Sequence, residues 1–394
     1  MKKSLFIVFS LALGFKAQAQ DSTKSNVGTF SFSGYLDSYY FANLNNPASR
    51  SNLGAAGTAR AFDQRAGQFS LGLVQTKINY VNDKSEAVVD LTFGPNSDLG
   101  NYGNVVGPLG EGTTSLAIKQ AYFNYKATDK LTFTAGQFGT HIGYEVIDAP
   151  INYNYSLSNL FNNGPFYHIG LKANYAFSDK VALMAGVVNN VDNLNDNNRS
   201  KGIISQLFVS PAKGWNVYVN WIGSNEANPK LDAKEASGNF YNLLDLTTTY
   251  QVTDKFFVGL NAAYGTQKGS FQGADPGSDS ALVTREWGGV AFYSNYAISD
   301  KFGLGIRLET FDNTGGSRGL LNANGEGTTV NSFTLTSNIT LANGHLLLKP
   351  EVRLDMYKKL SGDAFKEAQQ FEDKDGLFTK DSQITIGLAA VYKF

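Results

Sequence analysis

The sequence predicts an all-β protein, a closed antiparallel barrel of sixteen strands that crosses a membrane. Three observations support this fold: a composition rich in glycine and aromatic residues, a polar tripeptide that recurs between alternating segments, and a last strand that ends on phenylalanine. The 394-residue chain contains 41 Gly, 20 Tyr and 28 Phe but only 9 Pro. Aromatic residues favour strands, so this composition, with few helix-favouring runs, indicates many of them.

The N-terminal segment is predicted to be a cleavable signal peptide. Two lysines precede an apolar stretch, residues 4–15, which is too short to span a bilayer. Ala17 and Ala19 then give the small-x-small pattern that signal peptidase reads. We therefore expect residues 1–19 to be removed and residues 20–394 to form one barrel.

Charge and cysteine content exclude several classes of protein. The formal net charge of −1 is too small to indicate a nucleic-acid partner. The chain has no cysteine, which excludes disulfides, cysteine metal sites and a lipid anchor on cysteine. After the signal segment no apolar run approaches 18 residues, so transmembrane helices are not expected.

A polar tripeptide ending in Asp-Lys marks a set of tight turns. Asn, Asp, Ser and Thr side chains bond to their own backbone, so each copy is typical of a hairpin turn. The copies begin at Asn82, Thr128, Ser178, Thr253 and Ser299. Residues 211–214 and 342–344 fit the same role, which gives seven short turns.

The segments beside these turns alternate in polarity with a period of two. After the fifth tripeptide, Phe302, Leu304 and Ile306 fall on one face of the segment. Arg307 and Glu309 fall on the opposite face. This period is the signature of a strand and differs from the helical period of 3.6.

Long polar loops alternate with the short turns. They cover residues 43–66, 96–114, 140–165, 191–200, 224–238, 267–284, 313–329 and 358–380. Eight loops and seven turns give sixteen strands, with fourteen or eighteen left open, and place both termini on the short-turn side. Short periplasmic turns, long external loops and an even strand number are typical of an outer-membrane barrel.

The second strand is irregular. Phe69, Leu71 and Leu73 occupy one face, whereas Val74 and Thr76 begin an apolar series on the other. A β-bulge or a misplaced boundary would explain the change of face.

The ends of the strands carry signals of membrane insertion. Aromatic side chains gather beside the short turns, where an interfacial girdle requires them. They are Tyr80, Tyr125, Tyr175, Phe177, Tyr250, Phe256, Tyr296 and Phe302.

The last strand alternates up to Phe394 and is similar to the signal that barrel-assembly machinery recognises. Pairing it with the first strand, about residues 29–42, removes an exposed edge. The expected partners are therefore outer-membrane lipids and that machinery, in a bacterial cell outer membrane.

A series of motifs between residues 117 and 193 carries a family resemblance. The motifs are Gln120-Ala121-Tyr122, Gly136-Gln137-Phe138-Gly139-Thr140, Gly143-Tyr144-Glu145-Val146-Ile147-Asp148-Ala149-Pro150, Asn152-Tyr153-Asn154-Tyr155-Ser156, Pro165-Phe166-Tyr167-His168-Ile169-Gly170 and Gly186-Val187-Val188-Asn189-Asn190. Their order resembles the β-barrel porin family with OmpL-like members, and weaker similarity continues to the C-terminus. The resemblance implies an outer-membrane barrel and a channel for passive diffusion of small hydrophilic solutes. It implies no catalytic residues, and a homotrimer is an open expectation.

The strand alternation assigns a set of charged residues to the lumen. Sixteen strands enclose water, and charge is far less costly there than against lipid. The expected pore-lining residues are Arg307, Glu309, Lys349, Glu351, Arg353, Asp355, Asp90, Asp245, Lys172 and Arg285. Either these charges pair with one another, or Arg307, Lys349 and Arg353 form a basic strip that biases the pore towards anions.

The third long loop, residues 140–165, is predicted to fold inward as a constriction. General porins fold a loop inward after the same strand, and few loops above a membrane are so aromatic. The candidate constriction residues are Tyr144, Glu145, Asp148, Tyr153 and Tyr155. Glu145 and Asp148 are expected to face the basic strip across the opening. The alternative is an ordered external loop.

Other functional classes fit less well. An enzyme needs a nucleophile system or a metal site, yet the three histidines, His141, His168 and His345, stand in scattered contexts and no G-x-S-x-G occurs. A plugged transporter would need an N-terminal plug and about 22 strands. The remaining alternative is a closed outer-membrane barrel whose external loops carry a binding or adhesion role. No cofactor is expected in either case.

Overall fold

Each strand of the chain pairs with the next, because short turns and loops alone connect them. The computed structural model describes residues 28–100, 117–194, 196, 198–226, 240–268 and 283–394. Within these ranges sixteen strands follow one another around a closed barrel, and every pairing is antiparallel. The predicted all-β fold and strand number are confirmed.

The strands are 8 to 16 residues long, and β1 begins and β16 ends at the short-turn end of the barrel. The strands are β1 Thr29–Asn43, β2 Phe69–Val81, β3 Ser85–Phe93, β4 Ile118–Lys126, β5 Leu131–Gly139, β6 Tyr167–Ser178, β7 Val181–Val188, β8 Gly202–Ala212, β9 Trp215–Asn225, β10 Phe240–Gln251, β11 Phe256–Lys268, β12 Thr284–Ser299, β13 Phe302–Asp312, β14 Thr329–Leu341, β15 Leu346–Tyr357 and β16 Ser382–Lys393. The helices are α1 Pro95–Gly100 and α2 Asn159–Asn163, and short 3₁₀ turns cover Ala342–Gly344 and Asp363–Phe365.

The polar tripeptides form the short turns by the expected side-chain bonds. The Asn82 side chain accepts hydrogen bonds from the backbone N–H groups of Lys84 and Ser85, at 3.0 and 2.8 Å. Thr128 does the same for Lys130 and Leu131, at 3.2 and 3.0 Å. A side chain that satisfies backbone donors fixes each turn locally, which sets the register of the hairpin.

The irregularity of β2 is a bulge. Leu36 of β1 pairs with Val74, but Ser38 pairs with Leu71, so β2 carries one extra residue there. Leu71, before the bulge, and Ile78, after it, both point outward, at 45% and 42% exposed. The extra residue explains why the apolar series changes face, since it shifts the alternation by one position.

The outer surface is apolar along the barrel. Its exposed aromatic side chains lie towards both ends of the strands, as an interfacial girdle requires. Near the short turns they include Phe30, Phe32, Phe123, Tyr125, Tyr175, Phe177, Tyr250 and Tyr296, and near the long loops Phe69, Phe93, Phe240 and Tyr264. Within the described residues no helix has the length and apolar character needed to cross a membrane. The predicted signal peptide, residues 1–19, lies outside those residues.

Closure between β1 and β16 depends on a close backbone approach at Gly387. Gly387 pairs with Phe41, and a Cβ atom at Gly387 would lie 2.0 Å from the Tyr40 carbonyl oxygen. No side chain fits at that distance unless the backbone moves. Glycine therefore allows the last strand to join the first.

We expect Gly387→Val to impair barrel closure. Overpacking costs about 1–3 kcal/mol and occasionally more, and here the clash is with backbone that cannot rotate away. The measurement is the fraction of protein that migrates as a compact, heat-modifiable band after refolding in detergent. Leu388→Val, on the outer face of the same strand, should fold normally. Equal folding of the two variants would show that this approach is not limiting.

Candidate functional site

The loop between β5 and β6, residues 140–166, lies inside the barrel and is called the inner loop here. Ser156, Leu157 and Leu160 are only 2%, 6% and 4% exposed, although none belongs to a strand. Their neighbours are inward-facing side chains of β13 to β15, and the contacts described next hold the loop against that part of the wall.

The helix α2 of the inner loop is anchored by a carboxylate of β13. The Ser158 hydroxyl caps the helix by accepting from the Phe161 N–H at 3.0 Å. The backbone N–H groups of Asn159 and Leu160, which have no partner within the helix, donate to the Glu309 carboxylate at 3.0 and 2.8 Å. The first N–H groups of a helix have no partner within the helix, so a buried anion suits this end.

Arg307 of β13 joins the inner loop at two points. Its guanidinium forms an ion pair of 2.6 Å with Glu145 and donates to the Ser156 carbonyl at 2.5 Å. A third bond, of 3.2 Å, reaches the Thr334 hydroxyl of β14. Arg307 is 0% exposed, so its terminal nitrogen atoms are bound by protein groups, while its Nε has no hydrogen-bond partner.

Charged side chains of β15 bind the backbone of the inner loop. Glu351 accepts from the N–H groups of Tyr155 and Ser156, at 2.7 and 3.1 Å. Arg353 donates to the Leu157 carbonyl at 2.7 Å. The loop forms no sheet, and its buried backbone groups need partners that these side chains supply.

The expected basic strip is covered by the inner loop. Lys349 donates to the Asn152 carbonyl, and Arg307, Lys349 and Arg353 are each at most 1% exposed. The acidic residues Glu309, Glu351 and Asp355 lie beside them on β13 and β15. The strip therefore does not face an open passage in this structure. Of the two alternatives posed by the sequence, the geometry favours charges that are compensated within the wall and loop.

The first long loop also enters the lumen, which the sequence analysis missed. Arg60 is 1% exposed and binds Asp355 of β15 at 2.7 Å, while its other side contacts Asp63. Arg353 binds the same Asp355 carboxylate at 2.8 Å. The available signal was an arginine beside Phe62 and alanines within an otherwise polar loop. Apolar neighbours of this kind indicate burial.

Glu145 and Asp148 lie at opposite sides of the inner loop. Glu145 contacts Arg307 directly, so the expected separation across an opening is absent at this pair. Asp148 instead forms an ion pair with Lys119 of β4 at 2.5 Å and accepts from Gln75 of β2 at 2.8 Å. The inner loop thus bridges two parts of the wall.

Two candidate tyrosines pack against wall aromatics. The ring centroid of Tyr144 lies 4.2 Å from that of Tyr293, and the centroid of Tyr153 lies 5.3 Å from that of Phe257. Such aromatic pairs contribute packing beyond simple burial. They fix the side of the inner loop that faces β11 and β12.

Tyr155 links the inner loop to the β2 bulge. Its hydroxyl donates to the Asp37 carboxylate of β1, and the same carboxylate accepts from the Leu73 N–H at 2.7 Å. Leu73 belongs to the bulge, where the ladder between β1 and β2 is interrupted. Asp37 therefore satisfies the bulged backbone and anchors the loop at once.

Asp90 and Asp245 face inward and bind side-chain amides. Asp90 of β3 accepts from Gln120 at 3.2 Å. Asp245 of β10 accepts from Asn220 at 2.7 Å and is 1% exposed. Both carboxylates orient amides of neighbouring strands.

Lys172 and Arg285 lie apart from this network. The Lys172 ammonium lies 4.2 Å from the centroid of the Phe138 ring. Arg285 stands at the long-loop end of β12 and donates to the Gly316 carbonyl at 3.4 Å. Neither side chain contacts the charges of β13 and β15 by any interaction that the structure describes.

The histidines do not assemble a catalytic or metal site. The His141 and His168 ring centroids are 5.7 Å apart, and His345 lies at a short turn. Across the part of the chain that the structure describes, no three potential metal ligands come together.

A cavity of about 570 Å³ remains between the inner loop and the wall from β3 to β10. It begins beside Ser97 and Tyr167 at the long-loop end and reaches Tyr218 and Thr249 near the short turns. We call it the passage. It runs along the side of the barrel opposite the charged contacts of β13 and β15.

The lining of the passage carries little net charge. Among the described residues that line it, the charged ones are Lys119, Glu145 and Asp148. The side chain of Glu145 is 1% exposed and that of Lys119 is 19% exposed. Burial lowers the pKa of the lining His141 imidazole to about 4, so it adds no charge at neutral pH. Lys119 was missed from the sequence because a register shift at β3–β4 turns it inward.

Solved structures with the same fold include an outer-membrane channel, a porin and an outer-membrane protein. DcaP of Acinetobacter baumannii is 13% identical with a TM-score of 0.59, over 95% of this chain and 100% of that chain. The anion-selective porin from Comamonas acidovorans is 9% identical with a TM-score of 0.56, over 93% and 100%. OmpT of Vibrio cholerae is 13% identical with a TM-score of 0.55, over 94% and 99%. At these identities the likeness concerns the fold.

Comparison with protein-family models assigns the chain to a family. The comparison with curated proteins found no match. The family model described as "Putative beta-barrel porin-2, OmpL-like" matches residues 29–394, which is the whole barrel. Membership of this family indicates a channel and not an enzyme. The chain therefore belongs to the OmpL-like β-barrel porin family and is a porin of the outer membrane.

Proposed function

We propose that small hydrophilic solutes diffuse passively along the passage and that the inner loop is its constriction. The observation that carries this proposal is the position of the inner loop, which fills the β13–β15 side of the lumen and leaves the cavity of about 570 Å³ opposite. A sixteen-stranded barrel is wide enough to hold water, so a loop within it sets the free cross-section.

Charge selectivity is proposed to be weak. An anion preference was one of the two alternatives drawn from the sequence, but each member of the basic strip is buried and bound to the inner loop or its neighbours. The charges left in the passage are mainly Lys119 and Asp148, which neutralise each other. Ion selectivity depends on the charges that face the permeating ion, and equal positive and negative charge gives little selectivity.

Export, assembly and oligomeric state complete the proposal. We propose cleavage of a signal peptide after Ala19, insertion through a C-terminal strand signal ending at Phe394, and contact of the exposed apolar belt with outer-membrane lipids. A homotrimer is proposed because a similar structure, OmpT of Vibrio cholerae, is described in a trimer form. Intact-mass measurement of the mature chain tests the cleavage site, and native gel electrophoresis tests the trimer.

Removing residues 145–160 is expected to raise single-channel conductance in planar bilayers. The deletion takes away the part of the inner loop that occupies the lumen, while the wall strands remain. Deletion of residues 361–363, which are exposed at the start of the last long loop, is the control for loop shortening. Conductance that stays at the intact value would contradict the constriction. Absence of any conductance in the intact, folded protein would favour the closed barrel with a binding role.

Glu145→Gln is expected to loosen the inner loop. The substitution leaves Arg307 buried beside a neutral amide, and breaking a buried pair by removing one partner costs about 3–5 kcal/mol. We expect a noisier open-channel current and faster cleavage of the inner loop by added protease. Glu367→Gln, the same change at an exposed position, provides the control. Identical noise and cleavage in both variants would show that the ion pair does not hold the loop.

Two substitutions are expected to shift ion selectivity in opposite directions. Lys119→Gln leaves Asp148 and Asp90 without their counter-charge and should produce cation preference. Asp148→Asn leaves Lys119 with the buried Asp90 alone, 3.5 Å away, and should shift the reversal potential towards anions without leaving a free positive charge. The measurement is the reversal potential under a salt gradient, which should be near zero for the intact protein. Lys180→Gln, at an exposed short turn, should change nothing. A shift of the same sign in both variants would exclude these residues as the selectivity pair.

A further inference from the structure

A row of side-chain amides lines the passage and is held in fixed orientation. Gln206 of β8 donates to the Asn220 side chain at 2.8 Å, and Asn220 donates to Asp245 at 2.7 Å. On the other side of the passage Gln120 accepts from the Gly139 N–H at 2.9 Å. The wall thus sets how each amide is presented.

Amides offer both kinds of hydrogen-bonding group to a solute. Each carries two donor hydrogens and an oxygen with two lone pairs, and the bonds to the wall use part of that capacity. A hydroxyl group likewise donates and accepts. Asn220 is only 1% exposed and acts by holding Gln206. A solute with several hydroxyl groups can therefore exchange its water for the amides of Gln206 and Gln120 and the hydroxyl of Thr249, which also lines the passage.

Aromatic rings complete the lining. Tyr144 and Tyr218 border the passage near the amide row, and Phe161 and Phe166 border it nearer the long loops. The Phe161 and Phe166 ring centroids are 4.8 Å apart, so they form one apolar surface. A sugar ring presents a carbon-bound hydrogen face that packs on such surfaces, whereas a compact ion has none.

The charges of the passage are already compensated. Lys119 pairs with Asp148, and Glu145 pairs with Arg307. A charged solute that gives up water in the passage finds no free counter-charge among the described lining residues. The free energy that it loses with its hydration water is then compensated less completely than for a neutral, hydroxyl-rich solute.

We propose that the passage favours uncharged, polyhydroxylated solutes of sugar size over charged solutes of the same size. The proposal rests on the porin function above and specifies its solute class. The fixed amide row and the aromatic surfaces provide the contacts, and the paired charges remove the advantage of ions.

Three probes of matched size separate the solute classes. Glucose, glucuronate and glucosamine share the six-membered sugar ring and, in mildly acidic buffer, carry no charge, a negative charge and a positive charge. Their entry into proteoliposomes holding the full-length mature protein is measured by chemical assay of the trapped solute. We expect glucose to enter about tenfold faster than either charged probe, a difference of about 1.4 kcal/mol. Equal rates, or faster entry of a charged probe, would overturn the proposal.

A substitution in the amide row tests the contacts themselves. Gln206→Leu keeps the volume of the side chain but removes its hydrogen bonds, so glucose entry should fall several-fold while salt conductance changes little. Gln251→Leu, at a short turn, is the matched control, and Gln206→Asn should retain most of the glucose rate. If Gln206→Leu leaves glucose entry unchanged, the amide row does not select the solute. Conductance without solute preference rejects this inference alone, whereas absence of both conductance and entry rejects the porin function.

Discussion

Burial of charge on one side of the lumen governs where the inner loop and the passage lie. Strands β13 and β15 place Arg307, Glu309, Glu351 and Arg353 on their inner faces, each at most 5% exposed. An isolated buried charge is very costly, and it is tolerated when hydrogen bonds and opposite charges surround it. The inner loop supplies those groups. With the inner loop held there, the passage runs along the opposite wall.

The irregularities of the strands serve the same arrangement. The β2 bulge leaves a backbone N–H without a ladder partner, and Asp37 accepts its hydrogen bond while holding Tyr155. The register shift between β3 and β4 turns Lys119 towards Asp148. Both sites interrupt a regular ladder beside the loop. A perfectly regular barrel would present neither contact, so local departures from the β-ladder are part of how the loop is positioned.

The sequence predicts the wall of the barrel better than its contents. A period of two assigns the inward direction of Arg307 because that direction depends on adjacent residues alone. Whether Arg307 meets water or the inner loop depends on Glu145, which is 162 positions away in the chain. No local pattern encodes such a contact, and the covered basic strip follows from this. Lys119 was missed because a bulge shifts the alternation, and Arg60 because its loop was taken as external.

The passage and the charged network share only a narrow border at residues 144–148. Residues such as Gln206, Tyr218 and Thr249 line the passage but take no part in the bonds that anchor the inner loop to β13 and β15. Substitutions at these positions would leave the bonds between the inner loop and the strands β13 and β15 in place. Members of this family in different nutrient environments would thus be able to change which solutes cross the outer membrane. The same positions form a small set to vary when solute selectivity is engineered.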